Sequence, residues 1–130
     1  MIKAEDLRLG NLVLYKGFAC MVIGIGSVSV QLRDMQDYSP IVDRIMFCIN
    51  NIGIEKIQPI IITEELLINL GAESQGYKGF KPFNLHGMHL TITSSGDCVE
   101  YVHQINLKGL HHLQNLYYFT RGTELEIPRL

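Results

Sequence analysis

Five histidines, three cysteines and two close carboxylate pairs are the groups in this 130-residue chain that could do chemistry. His86 and His89 stand three apart, a spacing that would converge on a zinc ion from one helix face. The apolar positions around them alternate with period two, so the segment reads as extended instead. His89 and His103 fall on opposite faces of the hairpin expected there, and His111 and His112 diverge by about 100 degrees on a helix. Ordinary surface or hydrogen-bonded histidines are the simpler account, and no metal or other cofactor is expected. Cys20, Cys48 and Cys98 are odd in number and sit in apolar contexts, which suits small buried hydrophobes better than a disulfide framework. Cys98 shares a strand face with Glu100 but lacks the imidazole that would activate a nucleophilic thiol. Asp34 with Asp37 and Glu64 with Glu65 do not converge across a cleft as acid and base must. Gly24-Ile25-Gly26 precedes another strand pattern and no Gly-Lys-Ser/Thr follows, so it is no phosphate loop. No catalytic residue is assigned, and a small hydrolase is only the third reading.

The elements that would position these groups form an α+β chain with two lobes. In residues 1–60, Leu12–Tyr15, Ala19–Ile25 and Ser27–Leu32 are short branched or aromatic runs broken at Lys16-Gly17 and at Gly24 to Gly26. A fourth strand is expected in Ile41–Ile49, after a polar loop from Arg33 to Pro40, and together they predict a small SH3-like barrel. Asn50 to Gly53 marks a turn, and Ile54 and Ile57 continue the sheet. Residues 61–130 predict an α-β-β-α lobe, packed with the first as one compact unit. Thr63 caps a short helix carrying Leu66, Leu67 and Leu70 before Gly71. Leu85–Ser94 and Cys98–Ile105 flank Ser95-Gly96 as a tight hairpin, with Met88, Leu90, Ile92, Val99, Tyr101 and His103 on the core face. From Gly109 a second helix carries Leu110, Leu113, Leu116, Tyr117 and Phe119 on its apolar stripe, with His111, Gln114, Asn115 and Tyr118 away from it. Gly122 ends it, and Leu125 and Ile127 are expected to add a last strand.

The composition is 47% hydrophobic and 18% charged, which excludes a disordered tail. A formal net charge of -2 supplies no overall field for a phosphate backbone. The apolar runs are far shorter than the roughly 20 residues a spanning helix needs, and Lys3, Glu5, Asp6 and Arg8 make the opening unlike a secretory leader. A cytoplasmic location without membrane association is the expectation.

Three ordered motifs cover most of the chain. They are Leu7-Arg8-Leu9-Gly10-Asn11-Leu12-Val13; Ile62-Thr63-Glu64-Glu65-Leu66-Leu67 with Leu70-Gly71; and His103-Gln104 plus Leu113-Gln114-Asn115-Leu116-Tyr117-Tyr118 with Gly122, Glu124 and Leu125. Together they resemble a group of small uncharacterised proteins of Bacteroides-type bacteria and their phages or integrated elements. The resemblance implies a mobile-element or phage context and carries no activity.

Binding therefore outranks catalysis. A non-enzymatic accessory module that contacts another protein, or itself, is the first reading. Nucleic-acid binding through the barrel is the alternative. Tyr15, Phe18, Arg33 and Tyr38 are candidates for one interaction surface, although packing of the barrel accounts for Tyr15 and Phe18 more simply. Tyr118 is a candidate for a second surface or a self-association contact. Lys16, Arg33 and Arg44 are the candidate nucleic-acid contacts.

Overall fold

The computed structural model describes residues 2–35, 48–75 and 81–128. The chain is mixed α+β and begins with a five-stranded antiparallel sheet: β1 Leu12–Tyr15, β2 Phe18–Ile25, β3 Ser29–Asp34, β4 Cys48–Gly53 and β5 Ile57–Gln58, in the spatial order β4-β3-β2-β1-β5. Lys16 and Gly17 join β1 to β2 with φ of 51° and 81°, the mirror-image turn whose twist matches that of the strands. The register slips between Val22 and Gly24 on β2, and again beside Asn51 on β4, where φ is 58°. Such bulges bend strands, and here the sheet curls into a half-barrel as β5 returns to pair with β1.

Alternation along these strands divides their side chains between two cores. Val13, Cys20, Val22, Val30, Leu32, Ile52 and Ile57 pack inside the curl with Ile2 and Leu7. Leu12, Met21 and Met35 face the other way and join the core of the second lobe. Phe18, which packing of the barrel was expected to take up, is exposed. Of the expected Ile41–Ile49 strand, only Cys48 and Ile49 are described, and both lie in β4.

The second lobe contains α1 Glu64–Asn69, β6 Glu73–Ser74, β7 Lys81–Leu85, β8 Met88–Ile92, β9 Cys98–Glu100, β10 Ile105–Leu107 and α2 Leu110–Arg121. Its strands form a second sheet, ordered β10-β9-β8-β7-β6. The Thr63 hydroxyl accepts the Leu66 N–H at 3.1 Å, as a helix N-cap requires. Leu66 and Leu67 bury the apolar side of α1 against the core.

The expected α-β-β-α order is therefore too sparse. Leu85–Ser94 is not one strand, because His86 and Gly87, at φ 51° and 93°, turn β7 into β8. The next hairpin also differs in register. Ile92 pairs with Cys98 and Leu90 with Glu100, while the Thr93 N–H donates to Asp97 O across a longer loop than Ser95-Gly96 alone. A slip of one residue moves a strand's side chains to the opposite face. Cys98 and Glu100 are consequently buried, and Tyr101 stands exposed where the shorter loop would have placed it in the core. Residues 123–128 form no strand, although Leu125 packs into the core.

Candidate interaction site

The conspicuous motifs at the two ends of the chain meet across the junction of the lobes. Gln114, 4% exposed on α2, accepts the Leu12 N–H at 2.7 Å and donates to Gly10 O at 3.1 Å. It thereby supplies one edge of β1 with the partners a neighbouring strand would otherwise provide. Asn115 donates to Asp6 O at 2.8 Å, and its own carbonyl accepts from Asn11 at 2.8 Å and from Arg8 Nε at 3.1 Å. The Arg8 fork also donates to both carboxylate oxygens of Glu124, at 2.6 and 3.1 Å. Its guanidinium lies 4.1 Å from the centre of the Tyr118 ring. The hydrogen bonds from Arg8 hold the Glu124 carboxyl below its ordinary range. This clasp explains why Gln114 is buried although it lies off the apolar stripe; His111 is buried off the stripe as well. Tyr118 remains partly exposed, with one face occupied by Arg8.

Beyond the clasp, the turns of the second sheet and the far half of α2 enclose a hollow of about 180 Å³, bordered by His89, Glu100, Val102, His103, Leu116 and Arg121. Register creates it. With Glu100 paired to Ile105, residues 101–104 must turn back over four positions, and the inward Glu100 carboxylate organises that turn. It accepts the Val102 N–H at 3.1 Å, the His103 N–H at 2.8 Å and the His103 ring at Nδ1, 3.1 Å away. A carboxylate only accepts, so the proton sits on Nδ1 and Nε2 is the ring atom left for other contacts. His103 escapes strand alternation because it belongs to the turn. It consequently borders the same hollow as His89, contrary to the expected opposite faces. Arg121 crosses the mouth close to the β7–β8 turn, where a Cβ on Gly87 would come within 2.7 Å of the guanidinium.

The one hydroxyl among the described residues bordering the hollow is not an activated nucleophile. The Thr120 hydroxyl on its wall donates back to its own helix, 2.9 Å from Leu116 O and 3.3 Å from Tyr117 O. Burial pushes the Cys98 thiol up to about 12, and burial with Asp34 nearby raises Cys20 to about 11. Both thiols are therefore held protonated and unreactive at neutral pH. Among the described residues no group of three or more His, Cys, Asp or Glu side chains could hold a metal ion.

A third feature surrounds the β1–β2 turn, where Tyr15, Lys16, Glu55 and Lys56 border a shallow depression of about 570 Å³. Lys16 Nζ lies 5.3 Å from the Tyr15 ring centre. Phe18 is half exposed nearby in sequence but does not border the depression, and neither does Arg33, which sits near the end of β3 opposite Met21. Tyr38 and Arg44 lie outside the described residues. The anticipated set is thus brought together at Tyr15 and Lys16. Lys56 and the Glu100–His103–Arg121 group escaped the sequence reading, the latter because it depends on the hairpin register.

Among the described residues no helix is long and apolar enough to cross a membrane. No family model, curated protein or solved structure matches the chain.

Proposed function

We propose that this protein is a non-enzymatic accessory module that binds another protein through its carboxyl-terminal lobe. The observation carrying this reading is the exposure of large apolar side chains beside the hollow: Phe119 is 88% exposed, Tyr101 64% and Val102 63%. Val102 borders the hollow directly, and Phe119 stands on the helical turn between its wall residues Leu116 and Thr120. Apolar groups left in water beside a concavity are the usual mark of a contact surface. A hollow of about 180 Å³ is also smaller than the roughly 300–1,000 Å³ of small-molecule sites, and so suits one inserted side chain. Tyr118 borders this surface from the clasp side. We place the protein in the cytoplasm and in the phage or mobile-element setting that the motif resemblance implies.

The test compares native protein with a Val102→Ser/Phe119→Ser double variant, each recovered from nuclease-treated bacterial extract. A discrete partner held by the native chain and reduced at least tenfold by the variant is the expected result. Equal recovery by both, with the variant folded, rejects this surface. Self-association is read from sedimentation of the same two proteins.

The second reading is nucleic-acid binding by the first lobe, taken as an SH3-like barrel on the strength of its β1–β5 pairing. Tyr15 with Lys16 and Lys56 on one depression favours it, since an aromatic platform beside cations suits single strands. Binding of an oligonucleotide that weakens steeply with salt, and that is lost in a Lys16→Ala/Lys56→Ala variant, would move the function to that lobe.

A further inference from the structure

We propose that the hollow beside α2 receives a carboxylate, the side chain of an aspartate or glutamate on the partner, flanked there by an apolar residue. This rests on the protein-binding reading and gives that partner a chemistry. Among the described residues Glu100 is the only acidic group at the hollow, and its two oxygens are engaged by the Val102 and His103 N–H groups and the His103 ring. What remains available at the mouth as a donor is the Arg121 guanidinium, with the His89 ring bordering the same hollow; His103, its proton held on Nδ1, has no ring donor to spare. Among the described residues Arg121 forms no salt bridge with a carboxylate. Its planar fork is the group best matched to a carboxylate in two-point contact. Gly87 leaves the space for it, as a side chain there would collide with the guanidinium. Met88, Val102 and Leu116 form the apolar part of the lining, which accounts for the flanking apolar residue.

The experiment titrates the isotope-labelled full chain with the tripeptide acetyl-Leu-Glu-Leu-amide, its Gln counterpart and inorganic phosphate, following backbone amide resonances. Saturable shifts at Gly87, Val102, His103 and Arg121 with the Glu peptide, at least fivefold weaker with the Gln peptide, are the expected result. Arg121→Gln should weaken the Glu peptide at least fivefold, and Arg121→Lys should weaken it less. Equal affinity for the Glu and Gln peptides, or no shift at these four amides, overturns the carboxylate assignment. Phosphate binding there more tightly than the Glu peptide overturns it in favour of a phosphate-bearing ligand. If the Val102→Ser/Phe119→Ser variant loses its partner while Arg121→Gln retains it fully, the protein-binding reading stands and the carboxylate pocket falls.

Discussion

His111 places an imidazole 2% exposed at the start of α2, with Nδ1 buried and without a hydrogen-bond partner among the described residues. Burial, reinforced by His112 close by, lowers its pKa to about 4 from an ordinary 6.5. The sign of the consequence follows from which state takes up the proton. Below pH 6.5 the unfolded chain protonates this side chain while the folded chain does not, so stability falls as the pH drops, until the folded pKa near 4 is reached. The whole loss is about 3 kcal/mol. His112, also lowered chiefly by burial, contributes in the same direction. Urea unfolding between pH 7.5 and 4 should therefore show a decline that His111→Leu makes shallower without abolishing. Parallel declines in both proteins would mean that His111 is hydrated and titrates normally. Glu124 acts in a separate, lower window: its depressed pKa stabilises the fold above its ordinary value, and that contribution disappears as the pH falls through the folded value.

At the scale of elements, α2 acts as a connector whose polar face is as important as its apolar one. Replacing Gln114 by Leu keeps the volume but leaves the Leu12 N–H buried without its acceptor. A loss of about 2–3 kcal/mol is expected from that unsatisfied group, measured by denaturant unfolding. Asn115→Ala, on a more accessible part of the clasp, should cost less. A Gln114→Leu protein as stable as the native one would show that β1 finds another acceptor. The caps of both helices were legible in the sequence, because Thr63 and Gly122 act through their immediate neighbours: Gly122 sits at φ 74° and donates to Tyr118 O at 2.8 Å. The β1–β2 turn at Lys16-Gly17 was legible for the same reason. Hairpin register was not, since the choice between a short loop at Ser95-Gly96 and the longer one depends on what β9 meets across the sheet. The sequence pattern favours Val99 and Tyr101 as core residues on hydrophobicity. The fold instead buries Cys98 with Glu100, whose charge is accommodated by the turn that follows. The hollow inherits that difficulty: each of its polar residues was visible, but their convergence was a consequence of register.

Over the whole molecule, the two end motifs are explained by each other. Arg8 and Asn11 need Asn115 and Glu124, and these pairs are separated by more than a hundred positions, so no local pattern reveals why either stretch is distinctive. The lobes are joined by packing as well. Leu12 leaves the first sheet's own core and is 4% exposed in the second, where Met21 and Met35 also pack. A boundary near residue 60 therefore separates the two sheets and leaves the first core wholly on one side, but the second core crosses it. The expected consequence is one cooperative unfolding transition, with Leu12→Ala costing about 2–5 kcal/mol and lowering the stability of both lobes together. Hydrogen exchange under native conditions checks this at amides of β2 in one lobe and β8 in the other. If the mutation reduces protection equally in the two strands, the clasp and the shared core bind the lobes into a single folding unit. Reduced protection in β8 with β2 unchanged, or a biphasic urea curve, would instead make them independent, and the Arg8–Glu124 bridge would be no more than an exposed ion pair of small value. The first outcome also bears on binding. The helix that carries Phe119 and Arg121 is held from behind by the first lobe, so weakening Leu12 should loosen that surface even though Leu12 lies at Gln114, away from the hollow's wall residues Leu116 and Thr120, and makes neither of the proposed contacts.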